Sequence, residues 1–340
     1  MENILYFCTR RTKMMDKLSE IRLPIEAELK AYRTMFEATL QTQNPLLDMA
    51  LRHVMKRQGK MMRPILLLLV ARLTGEVDEA VLNAAVALEL LHTASLVHDD
   101  VVDESDRRRG QQSLNALLDN KAAVLVGDFL LSKALYHSAQ TGSNRVVTWV
   151  SELGQTLSDG ELHQLANLDK TEFSEEDYFE VIRKKTAVLF ETCVRAGALL
   201  SGGGEEDVQC LGRFGLQVGL CFQMRDDLFD FDNQHDTGKP NGNDMREGKL
   251  TLPVIHALLE TKDASMVALA IKVRRGEATE EEIARLVQFT HDEGGILYAE
   301  KKMYKIGEES LRMLDYKREA DGLVLSSLSQ YVRFVVGRDL

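Results

Sequence analysis

An all-α fold is what this sequence predicts, and three observations predict it. Apolar residues recur at spacings of three and four almost everywhere along the 340 residues, with little strand-like alternation. Only five prolines interrupt the chain, Pro24, Pro45, Pro64, Pro240 and Pro253. No βαβ succession, internal repeat or low-complexity linker divides it, so residues 15–340 read as a single helical domain. Residues 1–14 have no long apolar stretch after their basic residues and are expected to be a disordered extension rather than a signal peptide.

Taken in order, the periodicity predicts helices at 24–40 and 44–57. Pro64 suits a first helical turn, where its missing N–H would be unpaired anyway, so the next helix runs over 64–73. Helices at 79–103, 113–140 and 143–166 follow. Ser174 with Asp177 three residues on is a capping-box pattern; it opens a stretch to Leu200 that Gly202-Gly203-Gly204 stops. A helix at 205–232 precedes the least regular segment, Asp232–Gly248, whose four Gly or Pro breaks mark a functional loop. Thr279 and Glu282 repeat the capping device. Helices at 251–260, 279–292, 294–314 and 318–337 complete the chain.

Composition narrows the function classes. With 42 Lys+Arg against 53 Asp+Glu the net charge is −11, which repels a phosphate backbone and argues against nucleic-acid binding. Cys8, Cys193, Cys210 and Cys221 form no CxxC pair, so they read as buried thiols in a reducing, cytoplasmic setting. The longest apolar runs, Ile65–Ala71 and Ala84–Leu88, fall short of the roughly 20 residues that span a bilayer, and no transmembrane helix is predicted.

Two short acidic runs sit inside apolar helical sequence: Asp99-Asp100-Val101-Val102-Asp103 and Asp226-Asp227-Leu228-Phe229-Asp230. Both read DDxxD. Helical positions i and i+4 stack one turn apart, so Asp99 and Asp103 share a face, as do Asp226 and Asp230; each pair repels itself unless a cation intervenes. His92 and Ser95 continue the first stripe, Gly219 and Gln223 the second. One DDxxD alone is commonly a solvated helix end. Two such runs, with no Cys or His among the ligands, suit a hard cation such as Mg²⁺ that shares its coordination with substrate phosphates.

Basic residues supply what an anionic substrate needs. Lys60 and Arg63 precede the helix that Pro64 opens, a natural anion site. Arg107-Arg108-Arg109 follows the first acidic run by one loop, and Lys184, Lys185, Thr186, Lys239 and Lys249 add donors around the second.

With these motifs assembled, the chain resembles the trans-isoprenyl (polyprenyl) diphosphate synthases from about Leu46 to the C-terminus. GKMMRP is similar to the family's GKxxRP, HDDVVDESDRRRG to its first aspartate-rich motif and FQMRDDLFDF to its second, with GKPNGNDMREGKLTLP resembling the stretch that follows. The resemblance implies a bundle of long helices around a deep central cavity, commonly in a homodimer. It implies Asp99, Asp103 and Asp226 as direct Mg²⁺ ligands, Asp230 as a further member of the metal set, and Asp100 and Asp227 as their support. Arg108 would hold the allylic diphosphate. Lys60, Arg63, His92 and Arg109 match the isopentenyl diphosphate pocket, and Lys185, Thr186, Gln223, Lys239 and Lys249 match groups on the allylic side.

The implied reaction ionises the allylic C–O bond, lets the cation attack the isopentenyl double bond and then loses a proton, with the released diphosphate as base. Ala94 and Ser95 lie one turn before Asp99 and are small where short-product members carry aromatics, which implies a long-chain product of about C30 to C50 for a quinone tail. Geranylgeranyl diphosphate is the shorter alternative. Arg225 departs from the usual neutral residue before the second run; about 100° around the helix from Asp226, it is expected to point away from the metals. A terpene cyclase is disfavoured because Asn243-Asp244 lacks the Ser and Glu that a cyclase motif needs. A non-catalytic subunit is disfavoured because no acid or arginine of the motifs is lost.

Overall fold

The computed structural model describes residues 17–56, 59–108, 110–166, 170–231, 242–261, 263–317 and 319–337. Residues 1–16, Arg109, Lys239 and most of the predicted functional loop lie outside them. The described chain is helical apart from one two-residue hairpin, β1 (Arg107–Arg108) pairing with β2 (Gln111–Gln112). The main helices are α1 (Glu26–Thr39), α2 (Pro45–Met55), α3 (Met62–Thr74), α4 (Glu79–Val102), α5 (Asn120–Gln140), α6 (Asn144–Ala166), α7 (Glu175–Ile182), α8 (Val188–Leu200) and α9 (Glu205–Phe229). They continue as α10 (Leu252–Thr261), α11 (Ala264–Arg274), α12 (Glu280–Asp292), α13 (Gly295–Arg312) and α14 (Gly322–Gly337).

The all-α expectation is met, with three departures from the predicted elements. The 113–140 stretch breaks after a single turn at Leu114–Leu117, because the Asp119 carboxylate accepts the Ala122 N–H at 2.7 Å and starts a new helix. The 174–200 stretch carries a π turn at Arg183–Ala187 that apolar spacing does not reveal. Helix α11 is absent from the periodicity because its apolar residues fall on every side, yet the Asp263 side chain caps it at Ser265 and Met266. Thr279 and Glu282 form the full reciprocal capping box, whereas Ser174 accepts the Asp177 N–H alone.

The residues group into two compact units, each assembled from three stretches of sequence. The first comprises Met1–Gly154, Leu189–Gly215 and Leu314–Tyr331. Its core holds Ile65–Ala71 of α3, every residue fully buried, together with Val81, Ala84–Leu88 and Leu90 of α4. Helix α4 is long and apolar enough to cross a membrane by length and composition, but 61% of its most apolar window is buried inside the protein, which makes it a core helix. The second unit comprises Gln155–Val188, Leu216–Met313 and Val332–Leu340. Helices α10 to α12 build its core from Val254, Leu258, Leu269, Val273, Ile283 and Leu286, with Phe231 and Met245.

Candidate active site

The first acidic run ends α4. Asp99 lies half-buried in the last turn, Asp103 is its exposed C-cap residue, and the Asp103 N–H donates to the Asp99 carbonyl at 2.8 Å. Asp100 points inward and is only 2% exposed. A buried carboxylate needs a partner, and it has one: Arg108 Nε donates to Asp100 Oδ1 at 2.5 Å, while the Asn115 amide donates to the Asp100 carbonyl at 3.2 Å. The hairpin therefore exists to bring Arg108 back over the end of α4. Gly110 takes the left-handed conformation (φ +76°) that its turn requires. Earlier on α4, Ala94 is buried and Ser95 donates to the His92 carbonyl at 2.9 Å.

Lys60 and Arg63 flank the start of α3. Its N-cap residue, Met61, is left-handed (φ 53°), and no side-chain hydrogen bond caps the helix, whose N-terminal dipole end lies between the two cations in sequence. Arg22 fixes this turn by donating to the Lys60 carbonyl at 2.8 Å, and the Arg63 guanidinium lies 5.0 Å from the Phe190 ring centre.

The second acidic run lies near the end of α9, with Asp226 exposed and Asp227 buried. Tyr178 OH donates to Asp227 Oδ2 at 2.7 Å and Gln223 Nε2 to Asp227 Oδ1 at 2.8 Å; Thr186 Oγ1 donates to Gln223 Oε1 at 2.6 Å. The π turn makes this network possible. Residues seven apart on an α-helix share a face, and residues eight apart diverge by about 80°. One extra residue in the π turn lets Tyr178 and Thr186, eight apart, stand as if seven apart and meet the Gln223, Asp227 stripe together. Two glycines admit the wider turn: a Cβ at Gly219 would lie 2.5 Å from the Ala187 Cα, and one at Gly160 would lie 2.9 Å from the Lys184 Cβ.

Asp230 accepts the backbone N–H groups of Asn243 and Asp244 at 2.8 and 3.0 Å, which anchors the short helix Asn243–Arg246. Burial pushes the Asp227 carboxyl up to about 6 against its two hydrogen bonds, with the neighbouring charges of Asp226 and Asp230 raising it further. Burial likewise raises Asp230, and raises Asp244 well above the ordinary range. Lys249 Nζ pairs with Glu247 at 2.7 Å, and its charge acts on Asp244. Lys185 Nζ pairs with Glu161 at 2.6 Å. The Arg225 guanidinium lies 5.4 Å from the Phe229 ring centre.

The structure thus joins Asp100 with Arg108, and Thr186 and Gln223 with Asp227. Tyr178 and Glu161 are additions that motif spacing does not single out; Asp244 belongs to the GKPNGNDMREGKLTLP stretch, but its spacing gives it no role. Among the described residues no three His, Cys, Asp or Glu side chains form a ready-made metal cage. Mg²⁺ is typically held by one or two carboxylates plus substrate phosphates, so the all-oxygen donors of each run fit it.

Comparison with known proteins agrees with this chemistry. The family model for polyprenyl synthetase matches residues 44–290. Octaprenyl diphosphate synthase of Haemophilus influenzae is 36% identical over 80% of this chain and 84% of its own length. The crystal structure of geranylgeranyl pyrophosphate synthase from Bacteroides thetaiotaomicron shares 47% identity over 95% of this chain and all of its own, with a TM-score of 0.84. That of a polyprenyl synthase from Caulobacter crescentus, complexed with calcium and isoprenyl diphosphate, shares 27% identity over 95% and 98% of the two chains, with a TM-score of 0.87.

Proposed function

The chain belongs to the polyprenyl synthetase family and is a prenyltransferase, and we propose that it joins isopentenyl diphosphate head-to-tail to an allylic diphosphate in a Mg²⁺-dependent reaction, extending it to a long all-trans chain for a quinone. The observation that carries this reading is the repeated construction of the acidic runs: in each, the middle aspartate is buried and held by protein donors.

Asp99 and Asp103 of the first run, and Asp226 and Asp230 of the second, would hold the metal ions. Bound Mg²⁺ supplies positive charge to a departing diphosphate. Arg108, Lys185 and Lys249 bind and orient the allylic diphosphate, with Arg109 and Lys239 as further members of the set. Lys60, Arg63 and His92 hold isopentenyl diphosphate against the uncapped start of α3. Apolar side chains along α4 exclude water from the allylic cation. No protein nucleophile takes part; the released diphosphate removes the proton. Residues 15–340 work as one catalytic domain.

A long product is supported by the small Ala94 and Ser95 and by the octaprenyl relative. The 47% identity to a geranylgeranyl pyrophosphate synthase supports the shorter product as a second reading. A homodimer is supported by α5, whose outward stripe exposes Val124, Leu125, Leu135 and Tyr136. A cytoplasmic setting is supported by Cys193, Cys210 and Cys221, none of which is in a disulfide among the described residues.

The test is incubation of the purified chain with farnesyl diphosphate, labelled isopentenyl diphosphate and Mg²⁺, with an EDTA control and chromatographic sizing of the dephosphorylated products. A metal-dependent long product is expected. A product stopping at geranylgeranyl length would move the cavity floor elsewhere, and the absence of product would overturn the reading as an autonomous synthase. Ser95→Phe should shorten the product while the first condensation continues.

A further inference from the structure

Two adjacent lysines leave the π turn at Arg183–Ala187, and both meet carboxylates of α6. Lys184 pairs with Asp159 at 2.8 Å and with Glu180 at 3.2 Å. Lys185 pairs with Glu161 Oε1 at 2.6 Å and donates to Gln164 Oε1 at 3.5 Å. Asp159 and Glu161 straddle Gly160, where α6 passes so close that a Cβ would meet the Lys184 Cβ at 2.9 Å. The close approach gives each flanking carboxylate one lysine.

We propose that Glu161, with Gln164, is the positioning clamp that presents the Lys185 ammonium to the allylic diphosphate, an inference that rests on the function proposed above. A lysine carries its charge on a rotamer-rich stem and offers three N–H donors. Glu161 and Gln164 are three apart on α6, on one face of the helix, and take two of those donors. The third has no partner among the described residues. The pair is not a solvated surface contact, since the Lys185 and Glu161 side chains are 29% and 25% exposed. The turn that carries Lys185 is held as well, because the next residue, Thr186, is bonded through Gln223 to Asp227. Lys184 lies between two carboxylates, which together outweigh its charge, and serves as the latch; Lys185 faces one carboxylate and one neutral amide, which leaves its remaining donor open to an anion.

The test is steady-state kinetics of the full chain with each substrate varied in turn. Glu161→Ala should raise KM for the allylic diphosphate ~10-fold while KM for isopentenyl diphosphate stays within ~2-fold, and Glu161→Gln, which keeps an acceptor, should lie between. Since Glu161 acts only through Lys185, adding Glu161→Ala to Lys185→Ala should cost nothing further. An unchanged allylic KM in a folded Glu161→Ala or Glu161→Gln protein, or additive losses in the double variant, would overturn the clamp. Calorimetric titration of inorganic pyrophosphate with Mg²⁺ reads it independently of turnover: weaker binding by the variants is expected, and equal binding refutes it even if the unsubstituted chain makes no product, which is the separate failure of the proposed function.

Discussion

The two DDxxD runs share their spacing and differ in what holds the middle aspartate. Asp100 is met by a cation, Arg108, carried to it on a hairpin that begins four residues beyond Asp103. Asp227 is met by two neutral donors, Tyr178 and Gln223. The third aspartates differ too: Asp103 is exposed at a helix end, whereas Asp230 is tied to the backbone of the next short helix. The same spacing of three aspartates therefore builds one run whose buried acid is neutralised by the protein and one whose buried acid is not, with its carboxyl raised to about 6. A neutral cage leaves more of the compensating charge to be supplied by a bound cation.

The largest effects should come from the outer aspartates. Asp99→Ala and Asp226→Ala should each lower turnover by ~10³-fold or more in a protein that still folds, measured by product assay beside circular dichroism. Near-normal activity in either would remove that run from the metal site. Arg108→Ala should separate the runs most clearly, because it strands a buried carboxylate. A loss of about 2 kcal/mol in denaturant unfolding is expected, below the fully buried case since Arg108 is 30% exposed. Tyr178→Phe removes a neutral donor and should cost only about 1 kcal/mol; a loss equal to that of Arg108→Ala would erase the distinction.

The smallest effect is a dependence on pH. The Asp227 carboxyl is raised from 3.8 to about 6, so in that window the folded chain keeps a proton the unfolded chain has lost. Stability contributed by this group is therefore present at low pH and falls as pH rises through the window. In EDTA the midpoint of thermal unfolding should drop by a few degrees from pH ~4.5 to ~6.5, and Mg²⁺ should restore more of it at the upper end. A metal-independent, flat profile would show that the second run needs no cation.

Most of the helices were legible in the sequence because burial on one face imposes a period. Helix α11 was not, since its apolar residues leave no single face, and neither was the hairpin, whose strands of two residues are too short to alternate. The aspartates and cations of the site were legible from types and spacing, and their motifs carried the resemblance. Tyr178 and Glu161 were hidden for a different reason: each acts through a contact tens of residues away in the chain, Tyr178 with Asp227 and Glu161 with Lys185. Such contacts depend on a helix phase that the π turn resets, and no local pattern records it.

That reset makes the stretch from Tyr178 to Thr186 sensitive to length change in one direction. Deleting one residue from Arg183–Ala187 would leave a regular, well-formed α-helix, with every backbone bond satisfied and nothing exposed. Tyr178 and the threonine would then be seven apart and keep their shared face, whereas inserting one further residue would turn Tyr178 by about 100° relative to Thr186 and leave Asp227 with one donor fewer. A lineage can therefore shorten this turn by one residue more freely than it can lengthen it.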